Sequence, residues 1–374
     1  MRIAMIAPLA EAVPPALYGG TERVVSVLTE ELVRRGHHVT LFASGDSETR
    51  AELVACAPRA LRLDPDADDA LAATLIELGR AYWRAAADFD LIHNHVDWPA
   101  FPFARLVATP TLSTVHGRVD VPQVRQRYGM FPEQALISIS DAQREPLPDA
   151  NWVATVYNGI DLTHFQFQPT AGDYLVYLGR ISPEKRPDRA IEIARRTGMR
   201  LVMAAKVDPT DRQYYEQSIA PLIHATPLVE YIGEVNEQEK DVLLGGAYAY
   251  LFPIDWPEPF GLTMVEAMAT GTPAIAWRCG SVPEVLVDGV TGFVCDSMDE
   301  MVAAVERVGQ LSRAACRRHV ETRFSGEAMA DVYERVYAAA IDGVPAVGRE
   351  FAAVTAREPA TSDGPSRSVR EARP

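Results

Sequence analysis

Glu258 and Glu266 stand with seven residues between them, in a stretch that begins Trp256-Pro257-Glu258-Pro259-Phe260-Gly261-Leu262. The two prolines hold the approach extended, and the apolar pattern that follows predicts a helix over 262–270, stopped by Gly271. The first turn of such a helix carries backbone N–H groups without partners. Together with the helix dipole they form a site for an anion such as a phosphate. Glu258 precedes that turn, and Glu266 lies inside the helix with its side chain tilted back toward the N-terminus, so both carboxylates border one pocket. Carboxylates beside a phosphate repel it. Their fitting partners are neutral hydroxyls, a sugar on one side and a ribose on the other. The competing reading is a surface helix with ordinary acidic decoration at its start.

A second group of residues supplies positive charge. Tyr174-Leu175-Val176-Tyr177-Leu178 reads as a buried strand, and Gly179-Arg180-Ile181-Ser182-Pro183-Glu184-Lys185 is the loop that leaves it. Arg180 and Lys185 at that strand end are placed to neutralise a diphosphate, each charge-assisted contact contributing roughly 1.5–3 kcal/mol; the alternative is a solvated loop with surface charges. Tyr18-Gly19-Gly20-Thr21 lies between the first strand and the first helix. Gly19 and Gly20 permit close backbone approach, and Thr21 is expected to cap the helix. The dinucleotide fingerprint GxGxxG is not met there. His116 ends a strand where its side chain can reach a cleft, although an isolated histidine more often serves the core or a turn. His93 and His95 face one side of a strand, but no third ligand stands in register, so a metal site is not expected.

These residues need elements to hold them, and the chain alternates apolar runs with helical patterns. Strands are predicted over 3–7, 39–43, 91–93, 111–115, 136–140 and 154–157, with helices over 21–35 and 70–87. Asn158-Gly159 and the polar stretch 161–173 interrupt the pattern. Strands then resume over 174–178, 201–204, 229–232, 249–253 and 273–277, with helices over 187–197, 212–223, 237–244 and 262–270. Helices over 298–308, 313–322 and 326–341 close the chain. The expectation is therefore two doubly wound α/β domains with parallel sheets, over 1–165 and 172–325, the helix 326–342 rejoining the first. A cleft lies between them at the carboxyl ends of the strands. Residues 345–374 lack periodicity and are expected to be disordered.

Composition narrows the function. The chain has 374 residues, 48% apolar, and a net charge of −15. That suits two soluble domains and argues against a nucleic-acid partner, which would need clustered Lys and Arg. The apolar run at residues 1–8 is too short for a signal-peptide core, and no run is long enough to span a bilayer. Peripheral membrane contact is left open. Cys56, Cys279, Cys295 and Cys316 are scattered without CxxC spacing, which fits a cytoplasmic protein and neither a zinc site nor a disulfide framework.

The pair Glu258 and Glu266 resembles the E-x7-E motif of retaining GT-B glycosyltransferases, and residues 179–185, Gly-Arg followed after four residues by Lys, resemble the glycine-arginine-lysine segment of the same enzymes. The group it is most similar to is glycosyltransferase family 4. The resemblance implies the GT-B fold, two facing Rossmann-like domains, and transfer of a hexosyl group from a nucleoside diphosphate sugar to an acceptor hydroxyl. The donor would be of the UDP-glucose or GDP-mannose type. The resemblance also implies retention of configuration, no cofactor and no obligatory metal (hexosyltransferase, EC 2.4). Glu258 would contact the transferred sugar and Glu266 the ribose, with the backbone of Phe260, Gly261 and Leu262 at sugar and phosphate. Arg180 and Lys185 would take the diphosphate, Gly19 and Gly20 would face it, and Val235 would lie beside the base. His116 would touch the donor sugar, joining Glu258, Arg180 and Lys185 at the reacting centre. His95, Asp97 and Trp98 would stand on the acceptor side, with Asn158 supporting the cleft at the domain junction. Arg186 and the run Ala204-Ala205-Lys206 depart from the family pattern, where glycine is common. An epimerase, a phosphorylase or a non-catalytic two-lobed sugar-binding protein are the competing functions.

Overall fold

The computed structural model describes residues 1–17, 19–67 and 69–343. Tyr18 and the segment 345–374 lie outside the described residues. The first sheet contains β1 (Arg2–Ile6), β2 (His38–Ser44), β3 (Glu52–Ala57), β4 (Leu91–Asn94), β5 (Thr111–Thr114), β6 (Ala135–Ser138) and β7 (Trp152–Thr155), ordered β3-β2-β1-β4-β5-β6-β7. The second contains β8 (Tyr174–Arg180), β9 (Arg200–Lys206), β10 (Val229–Gly233), β11 (Ala249–Phe252), β12 (Ala274–Trp277) and β13 (Gly292–Cys295), ordered β10-β9-β8-β11-β12-β13. Neighbouring strands are parallel in both sheets. Parallel strands need crossover helices that cover both faces. This is why β1 is buried from Ile3 to Ile6 and β11 throughout, and why both read as unbroken apolar runs.

Each sheet reverses its winding once, between β1 and β4 in the first and between β8 and β11 in the second. The loops leaving such a pair diverge to opposite faces and open a crevice at the carboxyl ends. The Gly19-Gly20 loop follows β1, the Arg180 loop ends β8, and the Glu258 turn follows β11, so the candidate residues cluster at the two switch points.

The chain crosses between domains twice. The outward crossing at Ile160 pairs with the return at Ser325: Ile160 N–H donates to Phe324 O at 2.9 Å and Gly326 N–H to Ile160 O at 3.1 Å. A Cβ on Gly159 would lie 2.5 Å from Ser325 O, so the crossing requires glycine there. After it, the helix Gly326–Ile341 packs Met329, Tyr333, Val336 and Tyr337 against Val24, Leu28 and the first sheet. Burying each such side chain contributes about 1.5–3 kcal/mol. Glu284 ties the domains a second time, accepting from the N–H groups of Asp141 and Ala142 at 2.8 and 2.7 Å.

Several local readings need correction. The first helix spans Gly20–Arg34 with Gly19 at its cap, so Thr21 falls inside the first turn and no side chain caps it. The helix expected over 212–223 is broken by a π turn at Tyr215–Ile219, where Pro221 in the next segment has no N–H for a regular ladder. The strands β3 and β13 and the short helix Pro122–Gly129 were not anticipated. β3 is an edge strand with little burial, and β13 is only four residues long. Among the described residues no helix is long and apolar enough to cross a membrane. The four cysteines are free thiols.

Glu77 lies fully buried in the helix Ala70–Asp88, and among the described residues neither of its carboxyl oxygens has a hydrogen-bond partner. Burial pushes its carboxyl well above the ordinary 4.5. An acid that holds its proton more tightly when folded costs stability as pH rises above its unfolded value. Glu77→Leu is therefore expected to raise the thermal unfolding midpoint, by more at pH 8 than at pH 5, the gain at the higher pH being roughly 1–3 kcal/mol. Equal gains at both pH values would show that folding leaves the affinity of the Glu77 carboxyl for its proton unchanged.

Candidate functional site

β11 ends at Phe252, and the chain runs through Trp256 and Glu258 to Gly261, which caps the helix Leu262–Ala269 at φ 81. The positive φ favours glycine at Gly261, where a Cβ would lie 2.6 Å from the movable Met264 Cε. With glycine at the cap, the cap residue has no side chain to bond the first N–H groups of the helix. The turn is backed by Ser281, whose N–H donates to Glu258 O at 3.0 Å and whose hydroxyl donates to Phe260 O at 2.8 Å. Gly280, at φ 54, lets that support close in: a Cβ there would lie 2.4 Å from the Glu258 backbone.

This turn forms one wall of a cavity of about 580 Å³ between the two domains. The Gly19-Gly20 helix start stands opposite, close enough that a Cβ on Gly20 would touch Leu262 Cδ1 at 3.5 Å. Two helix N-termini without side-chain caps therefore face the same space. Arg180, Lys185, Val235, Glu258, Phe260 and Glu266 also line the cavity, as does His116 from the loop after β5.

The cavity charges are matched in pairs. Lys185 forms an ion pair with Glu258, and its ammonium sits 4.9 Å from the centre of the Trp256 ring. Glu266, 4% exposed, accepts from Lys240 Nζ at 2.5 Å, with the ammonium 5.3 Å from the Phe165 ring. Such buried pairs tolerate loss of one member poorly, because the other is left charged without a partner. Arg180 faces carboxylates of Glu184, Asp208 and Asp211 at 2.5, 3.6 and 3.5 Å. Both cations expected to meet a diphosphate thus begin with carboxylate partners. An arriving phosphate must exchange with these carboxylates.

On the opposite wall, Arg23 bridges the domains through Glu237 at 2.5 Å, and Glu237 also holds His164 at 2.9 Å. Glu237 is partly buried, but the charges of His164, Arg23 and Lys240 outweigh that and hold its carboxyl down at about 2. Glu22, 5% exposed in the first turn of the Gly20 helix, lines the cavity near the ion pair of Glu11 with Arg62. Burial, reinforced by the charge of Glu11, raises the Glu22 carboxyl to about 7. Asn158 also lines the cavity, and among the described residues its buried Oδ1 has no partner.

His95, Asp97 and Trp98 do not line this space. His95 is buried behind His116, its Nδ1 2.8 Å from His116 Nε2. Asp97, at φ 66, accepts from the Tyr128 hydroxyl, and Trp98 lies under the Arg127 guanidinium at 5.2 Å. Their strand end turns into the short helical run Trp98–Ala100, and Asp97 and Trp98 make their contacts with Tyr128 and Arg127. Lys240, Glu22, Trp256 and Ser281 are site residues that the sequence reading missed. The capping box of Asn236 with Glu239 marks the start of the helix that carries Lys240. Nothing in the sequence pairs Lys240 with Glu266, 26 positions away.

Two doubly wound domains facing across a cleft, with a glutamate-flanked helix start on one wall, define a glycosyltransferase of the GT-B class. Residues 18–164 match Glycosyltransferase Family 4 and residues 162–320 match Glycosyl transferases group 1. The chain belongs to glycosyltransferase family 4. It is similar to the glycogen synthase of Mycobacterium tuberculosis, 27% identical over 88% of this chain and 93% of that one. It is also similar to a phosphatidyl-myo-inositol mannosyltransferase of Mycolicibacterium smegmatis, 26% identical over 90% and 93%. In fold it is similar to sucrose-phosphate synthase from Thermosynechococcus elongatus, with TM-score 0.73, 20% identity and coverage of 91% and 100%. Another structural neighbour is Anabaena HepE solved with UDP-glucose, with TM-score 0.69, 17% identity and coverage of 91% and 100%.

Ionisation of the Glu22 carboxyl, raised to about 7, adds a negative charge that opposes an anion in the cavity. Affinity of the wild type for inorganic pyrophosphate is therefore expected to fall relative to that of Glu22→Gln as pH rises from about 6 to about 8. Calorimetric titration of both proteins checks this; a constant ratio of affinities would remove Glu22 from the binding field.

Proposed function

We propose that the chain transfers a hexosyl group from a nucleoside diphosphate sugar, of the UDP-glucose or GDP-mannose type, to an acceptor hydroxyl with retention of configuration. The observation that carries this reading is the single wall shared by Glu258, Glu266, Arg180, Lys185 and the Leu262 helix start. In this arrangement the diphosphate takes the helix N–H groups, Arg180 and Lys185. Lys185 then turns from Glu258 toward phosphate, and the Glu258 carboxylate accepts from sugar hydroxyls. Glu266, steadied by Lys240, accepts from the ribose. HepE with its UDP-glucose and the mannosyltransferase relative support a donor of this kind.

During transfer the bond between the anomeric carbon and the diphosphate oxygen breaks, and the acceptor oxygen bonds to the same carbon on the same face. The acceptor proton passes to the departing diphosphate oxygen. Charge building on that oxygen is met by Arg180, Lys185 and the helix dipole, so a metal ion is not required.

Lys185→Ala is expected to lower donor affinity by about one to two orders of magnitude. Glu258→Gln should mainly reduce turnover, since its altered hydrogen bonding reaches the sugar while the fold is kept. Donor binding and initial rates on folded variants check both, and wild-type values in either would overturn that residue's role. Transfer is further expected to persist in excess EDTA; its abolition, with recovery on adding a divalent cation, would overturn the metal-independent reading.

A further inference from the structure

Behind His116 lies a row of imidazoles. His93 and His95 project from the end of β4 with ring centres 4.0 Å apart. His93 is held at both nitrogens, by Thr114 Oγ1 at 2.8 Å and by the Tyr337 hydroxyl at 2.7 Å. His95 is held at both as well: its Nδ1 meets His116 Nε2 at 2.8 Å and its Nε2 meets Met5 Sδ at 3.1 Å. The His95 and His116 rings are inclined by only 28° with centres 5.1 Å apart, so their contact runs nearly along both ring planes.

These contacts determine where the protons sit. Burial lowers both imidazoles, His116 to about 4 and His95 well below its ordinary value, so at neutral pH each carries a single N–H. A thioether sulfur has no proton to give, so in the contact with Met5 the hydrogen belongs to His95 Nε2. His95 Nδ1 is then a lone pair, and His116 Nε2 must donate to it. The remaining His116 nitrogen, Nδ1, is a lone pair on a partly buried ring that lines the cavity.

We propose that Met5 and His95 are positioning residues that fix His116 as its Nε2–H tautomer, so that Nδ1 is presented to the cavity as an acceptor for one substrate hydroxyl. Met5 on β1, His95 after β4 and His116 after β5 come from three adjacent strands, so the sheet itself sets the relay. His116 then reads a hydroxyl by accepting its proton in a hydrogen bond. A substrate carbonyl or ring oxygen at the same place would meet lone pair against lone pair. The proposal rests on the glycosyltransferase reading only for the identity of the hydroxyl; the tautomer belongs to the unliganded chain.

Nitrogen NMR on the full chain with ¹⁵N-labelled histidine tests it, the His116 signals being assigned by their loss in His116→Gln. The expected result is a protonated Nε2 and an unprotonated Nδ1 at neutral pH. Met5→Leu keeps the volume and removes the sulfur acceptor. His116 should then populate both tautomers, and kcat/KM with a productive donor should fall about two- to fivefold. An Nδ1–H tautomer in the wild type, or an unchanged tautomer in folded Met5→Leu, would overturn the proposal. Because the spectra need no substrate, that outcome is separable from failure of any donor to support transfer.

Discussion

The backbones of Ile160 and Ser325 run side by side, and through that short parallel contact the two sheets face each other. Every site distance that spans the domains depends on it. The aromatic rings of Tyr157, Phe260 and Phe324 meet next to the crossing, with centres 5.7–6.2 Å apart. This cluster joins the last segment of the first domain, the Glu258 turn and the end of the helix before Ser325. The return helix Gly326–Ile341 then anchors the crossing in the first core, its Tyr333 and Tyr337 hydroxyls satisfied by Thr114 and His93. A buried hydroxyl without such a partner would be costly, so these polar contacts select one seating of the helix where apolar packing alone would permit several.

The cleft between the domains is built from paired charges. Lys185 with Glu258, Lys240 with Glu266 and Arg23 with Glu237 each join residues distant in sequence. In a chain with net charge −15, this pairing keeps the cavity cations from being lost in a field of excess carboxylate. It also means that an anion entering the cavity rearranges existing ion pairs and does not simply occupy a positive hollow. The Lys185–Glu258 pair is the more exposed of the two along the Glu258–Glu266 wall, 19% and 12% against 10% and 5%. The outer pair is therefore the easier to open, while the inner pair holds the helix in place.

Much of the architecture was legible because the signals were local. The helices Pro187–Thr197, Met298–Val308 and Gly326–Ile341 follow from amphipathic periodicity between clear stops, and the buried parallel strands follow from unbroken apolar runs. The turn at Gly261 was legible for the same reason, since glycine before a helical pattern and proline before glycine are short-range constraints. The reading passed over the apolar runs Leu53–Ala57 and Phe293–Cys295, which form β3, a sparsely buried edge strand, and the four-residue β13.

The amino-acid sequence by itself determined which residues have the chemistry of the site, and the order of strands and helices that carries them to strand ends. Glu258, Glu266, Arg180, Lys185, Gly19 and Gly20 needed only their types and their places after an apolar run. Tertiary structure alone decided which charges pair and which side chains reach the cavity. Lys240 finds Glu266, and Met5 finds His95 across 90 positions, because parallel strands bring together segments that the chain separates by whole helices. Asp97 and Trp98 are missing from the cavity lining for the complementary reason. Being next to a strand end is a property of sequence, but the direction of the following turn is set by what it packs against, here Tyr128 and Arg127.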